Sequence, residues 1–211
     1  MVSSTKQKIL DASVSLFNEH GIPNVRLQQI ADETGISVGN LAYHYKNKEA
    51  IVTFVYETLF TEFSHILSEY LILPNLLDID NQLTAYYAFF KKYRFYITEL
   101  FEVERSFPDI NKRWHFYVNR MMMQISKRIE FNVQRGVFAP QPDEFYELLT
   151  NNIWMSIVFW IPQRILRGLP ISEQLFKEAV WSQMLPHFTM NGQNGFMGFI
   201  YPIIASAHEM E

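Results

Sequence analysis

Cysteine is absent from all 211 residues, which excludes a disulfide framework, a thiolate metal site and a cysteine nucleophile and fits a reducing cytoplasm. Six histidines (His20, His44, His65, His115, His187, His208) are scattered without the spacing of metal ligands, so no metal is expected. Neither a phosphate loop nor a dinucleotide fingerprint is present, and no cofactor is expected. No apolar run reaches the roughly 18 to 20 residues that a membrane span needs, and no apolar core of a secretion signal follows the lysines near the N-terminus. The expected location is the cytoplasm, with no membrane partner. Positive charge is also scarce, 18 Lys and Arg against 22 Asp and Glu, for a net charge of −4. A protein that coats nucleic acid indiscriminately needs a broad basic field, so any DNA contact must be local. Period-two alternation and repeats of 20 to 50 residues are missing too, which leaves an all-α reading.

What is present is a large apolar content. Hydrophobic residues make up 48% and aromatic ones 16% of the chain, enough for a sizeable core or an apolar cavity. From Thr5 to His20, Ile9, Ala12, Leu16 and Phe17 recur at helical spacing, with Ser3, Ser4 or Thr5 as the cap and Gly21 as the stop. Leu27, Ile30 and Ala31 form the stripe of a short second helix that ends at Gly35, and Ser37 caps a third with Leu41 and Tyr45 turned inward. Asn47 caps the next helix, Lys48 to about Leu73, whose apolar positions Ile51, Val55, Leu59, Phe63, Ile66 and Tyr70 drift round one long cylinder. This is the expected connector, about 48–73, between a helix-turn-helix domain at 1–47 and a larger helical body at 48–211.

Pro74 and the polar run Asp78 to Gln82 read as a loop. Helical pattern then continues to Glu104 with a break near Arg94, from Ile110 to Arg135, from Asp143 to about Arg167, and from Ser172 to Phe188. The tail from Asn191 onward reads as a strap on the body or as a disordered end.

The second and third helices have the pattern of a pair in which one braces the other in the major groove. Asn40, Tyr43 and His44, at i, i+3 and i+4, share the outer face of the third. Asparagine can pair bidentately with adenine, and Val38 can touch a thymine methyl. Arg26, Lys46 and Lys48 fall at helix ends that would flank the groove and hold phosphates. On periodicity alone three short helices around a glycine turn are equally readable as scaffold. Gly35-Ile36-Ser37-Val38-Gly39 also fits the G-x-S-x-G nucleophile elbow, but that elbow needs a buried strand before the serine, and here a polar helix precedes it.

The stretch from Gln7 to Ile51 carries Ile9-Leu10, Ala12, Leu16-Phe17, Gly21, Ile30-Ala31, Gly35-Ile36-Ser37, Gly39, Leu41, Tyr43-His44-Tyr45 and Lys46-Asn47-Lys48-Glu49. It closely resembles the N-terminal domain of the TetR family of bacterial transcriptional regulators. The resemblance implies that Gln28, Ser37, Val38, Asn40, Tyr43, His44 and Lys48 stand at positions used for base or phosphate contact. Arg26 stands where the family usually opens its second helix with threonine, and Ala42 where the recognition helix usually has tyrosine. Arg26 can add a phosphate contact, and Ala42 removes a hydroxyl donor.

The resemblance also implies a ligand cavity in the region from Leu83 to Arg135, where the ordinary role of an aromatic stripe is core packing. Candidate ligand residues are Phe90, Phe101, Glu102, Arg105, Trp114, Tyr117, Met121 and Trp154; His115, Asn119 and Gln124 are further polar residues among these aromatics. Glu102 and Arg105 can instead simply pair with each other at i, i+3. The effector expected is a small apolar or aromatic molecule with one polar handle. The run Ile153 to Ile161 is apolar around almost the whole helix, so one side can meet its own domain and another a partner, unless it is the interior helix of a monomer. The resemblance places it and the helix from Ser172 in a two-fold dimer, with Phe159, Trp160, Phe176 and Val180 as candidate interface residues. The implied function is a homodimeric, ligand-responsive repressor, not an enzyme, that binds a palindromic double-stranded operator. Rivals are an all-helical enzyme or carrier for an apolar molecule, and an activator of the same fold.

Overall fold

The computed structural model describes residues 4–69 and 75–208 of the chain. Tyr70 and Leu73 of the expected connector, the breaker Pro74 and the alternative cap Ser3 lie outside the described residues. Within them the regular structure is helical, with one isolated antiparallel bridge between Phe138 and Phe188. The chain folds as two units, each assembled from two separated stretches of sequence.

One unit comprises the residues up to Phe63 together with Lys92–Trp114. Its first helix, α1 (Ser4–His20), buries Ile9, Leu10, Leu16 and Phe17. Gly21 ends it at φ 77°, in the left-handed region that favours glycine, with the flexible end of the Glu99 side chain close beside it. Helix α2 (Leu27–Thr34) opens with the Arg26 N–H donating to Gln29 Oε1 at 2.8 Å and ends at Gly35, φ 73°. Helix α3 (Val38–His44) is capped by Ser37 Oγ, which accepts from the Asn40 N–H at 3.1 Å. Helix α4 (Lys48–Glu69) is capped by Asn47 Oδ1, which accepts from the Ala50 N–H at 3.0 Å.

Along α4, Ile51, Val52, Val55, Tyr56, Leu59, Phe60 and Phe63 are all buried, a stripe wide enough to pack on more than one neighbour. Short helices α6 (Phe95–Thr98) and α7 (Leu100–Ser106) bring up the other half of the core. Phe95 packs edge-on against Phe17 (5.6 Å) and Tyr56 (5.9 Å), and Trp114 packs on Tyr96 (4.4 Å). Asn18 ties α1 to this turn: its Nδ2 donates to the Lys92 carbonyl at 2.8 Å and its Oδ1 accepts from the Phe95 N–H at 2.9 Å.

The other unit comprises Ser64–Lys91 and the residues from His115 onward. It contains most of α5 (Leu76–Lys92) and of α8 (Pro108–Gln134), with α9 (Asp143–Leu166) and α10 (Glu173–Met184). The expected loop at Asp78 to Gln82 is helix. Asn75 and Asp78 cap each other reciprocally, the Asp78 N–H donating to Asn75 Oδ1 at 3.0 Å and the Asn75 N–H to Asp78 Oδ2 at 3.2 Å. The polarity that suggested a loop is turned inward: Asp80 is 1% exposed and accepts from Lys177 Nζ at 2.8 Å and Trp181 Nε1 at 3.0 Å.

Helix α10 stops at Met184, short of the expected Phe188, because Pro186 supplies no N–H; a 3-10 turn, Leu185–His187, follows. The tail is an ordered strap made of α11 (Met190–Gly195), a π turn (Phe196–Ile200) and α12 (Tyr201–His208). Phe196 lies 5.4 Å from the Trp181 ring, and the Thr189 N–H donates to the Val137 carbonyl at 2.9 Å. Gly192 sits so close to that carbonyl that any Cβ would collide with it.

Candidate nucleic-acid interface

Helix α3 has only seven residues, too short to be stable alone, so its geometry is imposed from outside. Ser37 fixes its start. Leu41 and Tyr45, both buried, fix its inner side, the Tyr45 ring lying 5.2 Å from Phe54 of α4. Burial, with a smaller push from Glu57, raises the Tyr45 phenol to about 12, so it stays neutral at physiological pH. Gly35 lets α2 turn into α3, its N–H donating to the Asp32 carbonyl and that of Ile36 to the Ala31 carbonyl.

The outer side is left to solvent. Asn40 is exposed and hydrogen-bonded through its backbone to the cap, which leaves its side chain outward. Tyr43 is 86% exposed and its ring meets His44, half-buried, edge-on at 5.3 Å. Ser37 is exposed, Val38 is half-buried, and Gly39 and Ala42 add no bulk to this side. The exposed Arg26 opens α2, and Gln28 donates to Asp32 Oδ1 at 2.6 Å. Lys48 is half-buried and donates to the Pro23 carbonyl at 3.0 Å; desolvation lowers its ammonium from the ordinary lysine value, against the opposing pull of Glu49. Of the eight expected DNA contacts, Gln28 and Lys48 are thus hydrogen-bonded to other groups of the protein, while Arg26, Ser37, Asn40 and Tyr43 are exposed and Val38 and His44 half-buried.

The eight expected ligand residues divide between the units. In the first, Phe101 is 74% exposed, Glu102 pairs with Arg105 at 3.2 Å and accepts from Ser106 Oγ at 2.8 Å, and Trp114 is packed on Tyr96. In the second, Phe90 and Met121 are buried, while Tyr117 and Trp154 are half-buried beside Phe116 and Phe159. Of the expected dimer residues, Trp160, Phe176 and Val180 are buried where α9 packs on α10, the Trp160 and Phe176 rings 5.6 Å apart, and Phe159 is half-buried. Those three therefore serve the protomer's own core. The outward side of α9 instead carries Leu148, Met155 and Leu166, the last 87% exposed.

Gln82, Tyr86 and Arg128, absent from the expected residues, line a small, partly open cavity in the second unit. The available signal was spacing: Gln82 and Tyr86 on α5, like Gln124 and Arg128 on α8, are i, i+4 pairs of polar groups on otherwise apolar sides. Among the described residues no cluster of three His, Asp or Glu could hold a metal, and no helix is long and apolar enough to cross a membrane.

A family model described as bacterial regulatory proteins, tetR family, matches residues 9–53, and one described as bacterial transcriptional repressor matches residues 56–196. The HTH-type transcriptional regulator RutR of Escherichia coli K12 is 42% identical over 50 residues, 24% of this chain and 24% of RutR. The chain spans 24% to 37% of the length of the curated relatives it matches first. Among solved structures, a TetR-family transcriptional regulator from Marinobacter aquaeolei VT8 superposes with a TM-score of 0.78 at 24% identity, covering 93% of this chain and 97% of that one. SmeT of Stenotrophomonas maltophilia in complex with triclosan superposes with a TM-score of 0.63 at 13% identity, covering 89% and 93%. At these identities the two structures establish a shared fold.

Proposed function

Because the chain belongs to the TetR family of bacterial regulatory proteins, we propose that it is a homodimeric, ligand-responsive repressor of transcription that binds a palindromic DNA operator. The observation that carries the reading is α3: a helix held by Ser37, Leu41 and Tyr45 that presents Asn40, Tyr43 and His44 outward. In the proposed complex Asn40, Val38 and His44 read base edges, and Ser37, Tyr43, Arg26, Gln28 and Lys48 hold phosphates. Lys48 exchanges the Pro23 carbonyl for phosphate when it does so. Two copies related by a dyad present two reading helices about one helical turn apart, 34 to 36 Å, which matches a two-fold operator.

The dimer is proposed through the outer side of α9. Leu148, Asn152, Met155, Phe159, Pro162 and Leu166 recur at spacings of four and three, the seam of a helix pair, and the exposed Leu148, Met155 and Leu166 would gain burial there. Effector binding in the larger unit is proposed to shift α4 and with it the separation of the two α3 helices. A coupling of about 1 to 3 kcal/mol suffices for such a release. That SmeT holds triclosan supports a small apolar effector.

The experiment is a mobility shift on the DNA upstream of the protein's own gene, with wild type and Asn40→Ala/His44→Ala. Each lost base contact should cost about 1 to 3 kcal/mol, so the double variant binds at least tenfold more weakly. Equal binding by the two proteins refutes the reading side, and wild-type affinity that does not fall with salt refutes phosphate contact altogether.

A further inference from the structure

We propose that the cavity between the C-terminal strap, the start of α5 and the end of α8 is a ligand site of its own, and that it takes an aromatic phosphate monoester whose phosphate is held by Arg135 and whose ring lies against Phe199. The inference goes beyond the regulator reading and does not depend on it.

The cavity measures about 360 Å³. Sites for small molecules span about 300 to 1,000 Å³, so one ring and its phosphate have room. Leu76 and Leu77 come from the start of α5, Arg135 and Val137 from the end of α8, and Asn191 and Phe199 from the strap. Among the described lining residues none belongs to α9 or α10, the helices that wall the smaller cavity beside Arg128. Phe199 also lies past residue 196, where the match to the repressor family model ends.

Arg135 supplies the charge. No carboxylate stands among the described lining residues, and among the described residues none pairs with Arg135, whose guanidinium lies over the Phe131 ring, 5.4 Å from its centroid. Its planar fork is shaped for two oxygens of one anion. Asn75 and Asn191 also line the cavity, and both are exposed. Asn75 uses its Oδ1 and backbone N–H in the cap with Asp78, which also engages the Asp78 carboxylate and leaves the Asn75 Nδ2 hydrogens to donate. A phosphate monoester offers three anionic oxygens, one more than a carboxylate, so it can accept from the arginine fork and from an asparagine at once.

The apolar part of the lining calls for a ring. Leu76 and Val137 are buried, but Leu77 and Phe199 line the cavity while 42% and 69% exposed. An apolar body seated there covers both, and an aromatic one can meet the Phe199 ring edge-on or offset. An aromatic alcohol would forgo the ionic contact, and inorganic phosphate would leave Leu77 and Phe199 open. Because α5, α8 and the strap each supply part of the lining, an occupant holds the strap to both helices. Backbone amides of the π turn that carries Phe199 should therefore exchange more slowly in the complex.

The test is titration of the full-length protein with phenyl phosphate, inorganic phosphate, benzoate and benzyl alcohol, read by calorimetry. Wild type should bind phenyl phosphate at least about tenfold more tightly than each of the other three. Arg135→Gln should weaken phenyl phosphate by at least about tenfold, and Arg135→Lys should recover part of the loss. Phe199→Ala should bring phenyl phosphate down to the level of inorganic phosphate without changing inorganic phosphate. Both side chains are exposed, so the variants should fold, and circular dichroism checks that they do. Absence of phenyl phosphate binding to wild type, or binding that neither substitution weakens, overturns the site. Benzoate bound as tightly as phenyl phosphate overturns the phosphate, and inorganic phosphate bound as tightly overturns the ring. The mobility shift without ligand tests the DNA reading separately, and its failure leaves these titrations as they stand.

Discussion

Lys177→Met removes the cation of the pair that joins α10 to α5. In the native chain Lys177 Nζ lies 2.8 Å from Asp80 Oδ2 and 3.2 Å from Glu173 Oε1, with the lysine and Asp80 side chains 8% and 1% exposed. At an effective dielectric constant near 20 two charges 2.8 Å apart attract by about 6 kcal/mol, while desolvation costs several kcal/mol for each ion. The intact pair is therefore close to neutral for stability. Its rupture is not, because the methionine variant keeps Asp80 buried with the Trp181 N–H, 3.0 Å away, as its remaining hydrogen-bond donor from α10.

The expected loss is about 3 to 5 kcal/mol, a large part of the roughly 5 to 15 kcal/mol that holds a native protein together. Urea unfolding followed by circular dichroism measures it. The companion variant Asp80→Asn/Lys177→Met removes both charges and retains an acceptor for Trp181, so it should regain about 2 kcal/mol. A loss under about 1 kcal/mol in the single variant, or a double variant as unstable as the single, refutes the assignment of the cost to a stranded carboxylate.

Three further outcomes are expected. Ser37→Ala deletes the cap of α3 and should cost about 1 kcal/mol of stability, with operator affinity falling more steeply with temperature than in wild type; an unchanged urea midpoint would show that Leu41 and Tyr45 suffice. Met155→Glu/Leu166→Glu places charge on the outer seam of α9 and should raise the dimer dissociation constant at least tenfold by analytical ultracentrifugation, whereas an unaltered dimer would move the interface elsewhere. Glu99 carries a carboxyl raised above its ordinary value by burial first and by Glu102 second, so the folded state binds its proton more tightly than the unfolded state. Its contribution to stability is complete below the ordinary carboxylate value and is lost as pH rises through the raised one. Glu99→Gln should therefore gain on wild type as pH rises from the ordinary carboxylate value through the raised one, and a stability difference that does not vary with pH would contradict this.

The helices up to α4 were legible because their signals are local. Ser37, Asn47, Gly21 and Gly35 each act on backbone groups within a few residues. Asp78 to Gln82 misled for the opposite reason: the partner that buries Asp80 is Lys177, almost a hundred residues away, and no window of sequence contains both. Gln82 is paired with Gln124, a shorter gap of 42 residues but still beyond any local window. The apolar stretch of α9 was readable as many-sided, but not which side faces inward. Trp160 meets Phe176 inside the protomer, while Met155 and Leu166 stand outside, and that choice depends on where α10 packs. The strap after Phe188 was likewise undecidable from its glycines, since what orders it is the Val137 carbonyl and the Trp181 ring.

The division of the first unit into two stretches has a consequence for how the protein is made. Phe17 and Tyr56 leave the ribosome well before Phe95, Tyr96 and Trp114, the rings that complete their packing. The helices proposed to grip DNA thus emerge with one flank unsatisfied, and they are not fully consolidated until Trp114 has been synthesised. A fragment cut after Phe63 keeps the proposed reading residues but loses that flank, so nascent or truncated chains should hold α3 less firmly than the finished protein.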